Sequence, residues 1–350
     1  MRFKAFSSAV LFFCLAVGAS AETFTIAVLP DSQNCQGSPF HAQVQWIYDH
    51  ATTNNIVFTT HEGDFGSSGA DASIFTNAVY STPGKNDGLY ALDNIMPWAT
   101  VGGNHDMYGS ANYWTYLGSS HFTGLPWYGG AYAPGFSSYQ FFQAGGRKFM
   151  NISLTNLGSL SAQAVADTLA WARGVVAANP GIPTIVTTHG YMTEAGVDHA
   201  DEESRGVADS TGGIWRDLVD GNSQIFMVLC GHVHTIKDIS QPNAGERTQI
   251  STNDAGLPVY ELLANYQDYT ASQAGTYGIG YMRLMTFDEA AGQIQVSTYS
   301  PYSERYQTDP YSQFTLNVDF NDRFGAVIPE PATMALLGLG ALAMLRRRRN

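Results

Sequence analysis

The sequence predicts an α/β sheet protein, on three observations. Short apolar and β-branched runs recur along the chain, and each is closed by a polar loop. Helical periodicity fills some of the intervals: Val165, Leu169, Ala172 and Val176 form one apolar stripe, opened by Ser161 and closed by Asn179-Pro180-Gly181, with a weaker stripe at Val44, Ile47 and His50. With 350 residues, 44% of them hydrophobic, the chain has enough apolar surface for one large core.

Taken in order, the runs end in residues of one chemical kind. The first, 24–29, ends in Pro30-Asp31-Ser32-Gln33, and the second, 56–60, in His61-Glu62-Gly63-Asp64. The third, 97–101, leads into Gly102-Gly103-Asn104-His105-Asp106; the fourth, 184–188, into His189; the fifth, 225–229, into Gly231-His232-Val233-His234. Open α/β sheets bind ligands beyond the carboxyl ends of their strands, so these five loops are expected to meet in one crevice. What meets there is two carboxylates, two amides and four imidazoles, a mixed oxygen and nitrogen set suited to Fe, Mn or Zn. Alternate residues of an extended segment point the same way, which lets His232 and His234, and Asp31 and Gln33, face the crevice together. A single buried histidine is usually a packed core residue. Five such loops in series are hard to assign to packing.

In these residues the sequence resembles the calcineurin-like metallophosphoesterases. Asp31-Ser32-Gln33 stands for the family's Asp-x-His, Gly63-Asp64 for its second motif and Gly103-Asn104-His105-Asp106 for its third, with His189 and Gly231-His232-Val233-His234 completing the set. The resemblance runs from about Phe24 to Pro301. It implies a four-layer α/β/β/α sandwich of two mixed sheets flanked by helices, in which the late strands 259–266, 282–287 and 293–299 would form the second sheet. It also implies two divalent or trivalent transition-metal ions (Mn, Fe or Zn). One would be held by Asp31, Gln33, Asp64 and His234, the other by Asp64, Asn104, His189 and His232, with Asp64 bridging. His105 matches the family's phosphate-contacting histidine and general acid. His61 and Asp106 would support the ligands or His105 from behind. Two features depart from the family pattern: Gln33 replaces a histidine with a neutral amide, and Ser67 stands where protein-phosphatase members often carry an aspartate.

The ends read as targeting segments. Arg2 and Lys4, an apolar stretch and Ala19-Ser20-Ala21 have the form of a signal peptide over 1–21. After a catalytic domain at 22–326, residues 327–350 hold Pro329-Glu330-Pro331, an apolar run to Leu345 and four arginines, Arg346 to Arg349. This resembles a PEP-CTERM sorting signal. It implies an exosortase-type processing partner, transient membrane attachment, and export to the surface of a Gram-negative bacterium; a permanent tail anchor is the alternative. Six of the 17 basic residues but one of the 30 acidic residues lie in these ends, leaving 11 basic against 29 acidic between them. That charge argues against nucleic acid as a partner. Cys35 and Cys230 each suit a small apolar residue near a strand end, a reading favoured over a disulfide.

Between the third and fourth motifs lies an aromatic, glycine-rich segment containing Tyr108, Tyr113, Trp114, Tyr116, Phe122, Trp127, Tyr128, Tyr132 and Tyr139. Packing of a long loop is the expectation for most of these rings, and a pocket wall for a few. Asp198, Asp201, Glu202 and Glu203 are expected to be a solvated face. The functional expectation is an exported phosphoesterase with a phosphate-ester substrate, a phosphodiester favoured. A phosphomonoesterase, a protein phosphatase or a catalytically silent surface binding protein on the same fold are the alternatives.

Overall fold

Alternation along the first strand sets the layering of the molecule. In the computed structural model, which describes residues 23–109, 111–199, 213–234, 245–268 and 279–325, Phe24–Leu29 is buried at every position. Phe24, Ile26 and Val28 face one way, into a core with Phe58, Phe142, Phe149, Phe226, Leu262 and Met285. Ala27 and Leu29 face the other, into a second core with Phe40, Val44, Ile47 and Phe75 from the helices Ser38–His50 and Ala72–Val79. A strand buried on both faces has to lie inside a layered structure. The signal and sorting segments, and Asp201, Glu202 and Glu203, lie outside the described residues.

In chain order the strands are β1 (Phe24–Leu29), β2 (Ile56–His61), β3 (Trp98–Thr100), β4 (Tyr128–Tyr132), β5 (Ser137–Ala144), β6 (Arg147–Leu154) and β7 (Thr184–Thr188). Then follow β8 (Ile225–Cys230), β9 (Glu246–Thr252), β10 (Pro258–Ala264), β11 (Met282–Asp288), β12 (Gln293–Ser300), β13 (Arg305–Gln307) and β14 (Phe314–Asn317). They form two mixed sheets. One runs β13-β12-β11-β1-β2-β3, with β14 also on β12, and the other β4-β5-β6-β7-β8-β10-β9. A third core lies on the outer face of the second sheet, where Leu169, Ala172 and Val176 of the helix Ala162–Ala178 meet Met150, Ile152, Val186 and Val228. Ser161 caps that helix by accepting from the Ala164 amide. Helices, sheet, sheet and helix are the four layers expected.

Two expectations need correction. The late strands do not form a sheet of their own. β10 pairs with β8 in the second sheet, whereas β11 and β12 extend the first sheet from β1. The reason is that β1 has two free edges, of which β2 takes only one, so an antiparallel β11 closes the other. The aromatic segment is likewise not one long loop: Tyr128, Tyr132 and Tyr139 sit in β4 and β5. A two-residue turn at Gly145 and Gly146, both with positive φ, then joins β5 to β6 as a hairpin. Tyr113, Phe122 and Trp127 are buried, as the packing reading expects, and Tyr108 is 70% exposed.

One buried ion pair ties the two sheets together near the site. Arg283 of β11 meets the Glu246 carboxylate of β9 at 3.2 Å and the Tyr266 hydroxyl at 3.1 Å. Breaking such a pair from one side leaves an uncompensated buried charge.

Candidate metal centre

The five strand ends meet, and the candidate ligand residues arrive from both sheets. β1, β2 and β3 of the first sheet deliver Asp31, Asp64 and Asn104; β7 and β8 of the second deliver His189, His232 and His234. The approach is close enough to constrain the backbone. Asp64 and His232 both have left-handed φ, 52° and 62°, a conformation that persists only where surroundings impose it. A Cβ on Gly103 would lie 2.1 Å from Asp64 Oδ1, and one on Gly63 would lie 2.7 Å from His189 Nδ1. Gly103→Ala is therefore expected to cost about 1–3 kcal/mol by overpacking. Chemical denaturation in chelator measures it, and a variant as stable as the parent would contradict the crowding.

The tightest cluster centres on His189 Nε2. It lies 3.0 Å from Asn104 Oδ1, 3.2 Å from Asp64 Oδ2 and 3.1 Å from His232 Nδ1. The other ring nitrogen is committed, because Nδ1–H donates to the Glu62 carbonyl at 2.7 Å. In the neutral ring Nε2 is then an acceptor facing two oxygens, a contact that a cation or an added proton relieves, while His232 Nδ1 can donate to it only in its Nδ1–H tautomer. Burial disfavours the charged ring, but the Asp64 carboxylate outweighs it and raises His189 to about 10, so without a cation the ring takes that proton. Two imidazoles, a carboxylate and an amide oxygen fit a transition-metal ion well.

The remaining candidate ligands are spaced more loosely around a cleft of about 270 Å³, lined by Asp31, Gln33, Asp64, Asn104, His105, His232, Val233, His234 and Gln267. Asp31 accepts from the Gln33 amide at 3.0 Å and from Asn265 Nδ2 at 3.1 Å. Burial first, and then Asp64, hold Asp31 well above the usual carboxylate range, a cost that a neighbouring cation removes. Gln33 Nε2 lies 3.3 Å from His105 Nε2, and His234 Nδ1 is engaged by Asp268.

His105 reaches the same cleft with its ring oriented from behind. Nδ1–H donates to the Ser67 carbonyl at 3.1 Å, so the backbone of Ser67 supplies an acceptor although its side chain does not. The main-chain amide of His105 donates to Asp64 Oδ1 at 2.8 Å. Asp106 is buried and accepts from the Phe65 and Gly103 amides, both at 2.9 Å, pinning the residue after Asp64 and the residue before Asn104. His61 acts similarly: Nδ1 accepts from the Gly63 amide at 3.0 Å, Nε2–H donates to Ser32 Oγ at 2.9 Å, and that hydroxyl donates to the Asp64 carbonyl at 3.2 Å. Both residues brace the loops that carry Asp64 and Asn104 through hydrogen bonds that reach their backbone.

Three residues of the segment after β10 were not foreseen. Asn265 bridges Asp31 and the His232 carbonyl, at 3.1 and 3.0 Å; Gln267 lines the cleft; Asp268 meets His234. Their signal was the one used for the others, a polar cluster at the carboxyl end of a predicted strand. Cys35 and Cys230 are buried free thiols. Burial pushes Cys35 up to about 12 and Cys230 well above its ordinary value, which keeps both unreactive.

Among the described residues no helix is long and apolar enough to cross a membrane. The chain is 28% identical over 303 residues to the uncharacterized protein YvnB of Bacillus subtilis, an alignment covering 82% of this chain and about a fifth, 21%, of the length of YvnB. Among solved structures it is similar to GAP50, the anchor in the inner membrane complex of Plasmodium, with a TM-score of 0.50 at 12% identity, covering 88% of this chain and 98% of that one. That likeness concerns the fold. Residues 327–349 match the PEP-CTERM protein-sorting motif, which marks a protein for export to the cell surface in Gram-negative bacteria. Residues 24–235, which contain all five strand ends that carry the candidate ligands, match the calcineurin-like phosphoesterase family, and the chain belongs to that family.

Proposed function

We propose that the chain is an exported, dinuclear metal-dependent phosphoesterase that favours phosphodiesters, with His105 as general acid. The observation that supports it most directly is His189 Nε2, surrounded by Asn104, Asp64 and His232 at 3.0–3.2 Å while its other nitrogen is tied to Glu62. Asp64, Asn104, His189 and His232 would hold one ion, and Asp31, Gln33, Asp64 and His234 the other. Two bound cations would supply a water of lowered pKa and neutralise charge on the phosphoryl oxygens. The chain's own groups do the rest. The Ser67 carbonyl fixes His105 so that Nε2 faces the cleft, where in the protonated ring it can deliver a proton to the departing ester oxygen. Asn265 holds Asp31 against the His232 loop, so the two ligand sets keep their spacing. Among the described residues the cleft is lined without lysine or arginine, which suits the single charge of a diester better than the two charges of a monoester.

The purified protein is expected to hold close to two equivalents of Mn²⁺ after reconstitution and to hydrolyse an aryl phosphodiester faster than the matching monoester. Less than about one equivalent, with no activity on any ester, would favour a silent binding protein on this fold. From the sorting motif, surface-exposed protein from a native host is expected to lack Arg346 to Arg349 after processing. Intact-mass analysis checks this, and recovery of all four arginines would leave a tail anchor.

A further inference from the structure

His234 differs from the other histidines of the site in how it is held. His189 is fixed by a main-chain carbonyl deep in the protein, whereas the His234 side chain is 36% exposed and its Nδ1 meets a carboxylate, that of Asp268, 34 residues further along the chain. The Asp268 side chain is itself only 13% exposed. It lies three residues beyond Asn265, which holds Asp31 and the His232 carbonyl. A carboxylate accepts and does not donate, so it selects the ring tautomer with hydrogen on Nδ1. That leaves the Nε2 lone pair for the cleft, which His234 lines.

We propose that Asp268 is a positioning residue for the cation held through Asp31, Gln33 and His234, acting by fixing the tautomer and orientation of His234. The proposal rests on the dinuclear reading above. It accounts for how a site that has a neutral amide at Gln33 in place of a histidine retains a competent imidazole at its solvent-facing side: a hydrogen-bonded carboxylate makes the opposite ring nitrogen a stronger donor to metal. The alternative is that Asp268 only fastens two loops, since Asn34 Nδ2 donates to its other oxygen at 3.4 Å.

Mn²⁺ titration of the full-length protein, followed by metal analysis, separates these roles. The parent is expected to bind two ions, and Asp268→Ala to bind the second about 10–100-fold more weakly with the first unchanged, the usual range for a partner behind a ligand. Asp268→Asn is isosteric and folds under the same constraints. Its amide can donate to Nδ1 and favour the wrong tautomer, so it too should weaken the second ion, and Asp268→Glu should recover part of the loss. Asn34→Ala removes the loop clip and should leave both affinities unchanged. In a His234→Ala background, Asp268→Ala should cause no further loss, because its effect passes through that ring. Unchanged second-ion affinity in both Asp268→Ala and Asp268→Asn, or an undiminished effect of Asp268→Ala without His234, would overturn the proposal while the dinuclear reading stands. A parent that binds fewer than two ions would overturn both.

Discussion

Asp64→Asn is expected to lower kcat/KM on any phosphoester by more than about 10³-fold and to leave the protein with less than one tightly held Mn²⁺. On the proposed reading Asp64 is the one side chain shared by both ions, and several kcal/mol of transition-state stabilisation depend on them, at 1.36 kcal/mol per tenfold in rate. Asparagine is the informative replacement. The residue sits at φ 52°, a region that asparagine tolerates and alanine does not, so the fold should survive the change. The Asn carbonyl oxygen could still accept from the His105 amide, which now donates to Asp64 Oδ1 at 2.8 Å. Losses would then report the missing charge and not a collapsed loop. Thermal melting in chelator should show the variant still folded, with a lower midpoint because the buried His189–Asp64 pair is lost. Full activity with two bound ions would remove Asp64 from the bridging role.

His105→Ala is expected to keep both ions, and to lose about 10²- to 10⁴-fold in kcat on an alkyl phosphodiester but far less on a nitrophenyl ester. The proton it delivers matters most when the leaving oxygen is strongly basic; nitrophenolate departs with little help. His234→Ala supplies the contrast, because loss of a proposed ligand should strip one ion and slow both esters. Comparing kcat with KM shows whether His105 acts in the chemical step or mainly in binding. Equal slowing of the two esters, or metal loss matching that of His234→Ala, would show that His105 is not the acid.

The parts of the fold legible in the sequence were those whose environment leaves a period. β1, β2, β7 and β8 are buried almost throughout and appear as apolar and β-branched runs; the helix Ala162–Ala178 buries one stripe and shows it. β4 is half-buried at every position and β9 at most of them, so neither alternates clearly, and aromatic residues near β4 resembled a loop. The convergence of the candidate ligand residues was legible because each follows a run and because they share one chemistry. Asn265, Gln267 and Asp268 carried the same kind of signal at the end of a run but went unread, because their place beside His232 is decided by the pairing of β10 with β8. Sheet membership of β11 and β12 was invisible for the same reason: strand partners are decided by which edge is free, a property of the assembled sheet.

The centre straddles both sheets, and this constrains the order in which the protein can mature. Asp31 meets Asn265 across 234 positions of chain, and His189 meets Glu62 across 127. Contacts of such contact order close late, after the loop entropy of intervening segments has been overcome, and they make folding slow. A nascent chain released only as far as His234, just past β8, would carry every proposed ligand and still lack the residue that clamps Asp31 to the His232 loop. Ion uptake would then be a terminal step of maturation, and the appearance of a fully loaded centre would serve as a clock for completed tertiary assembly.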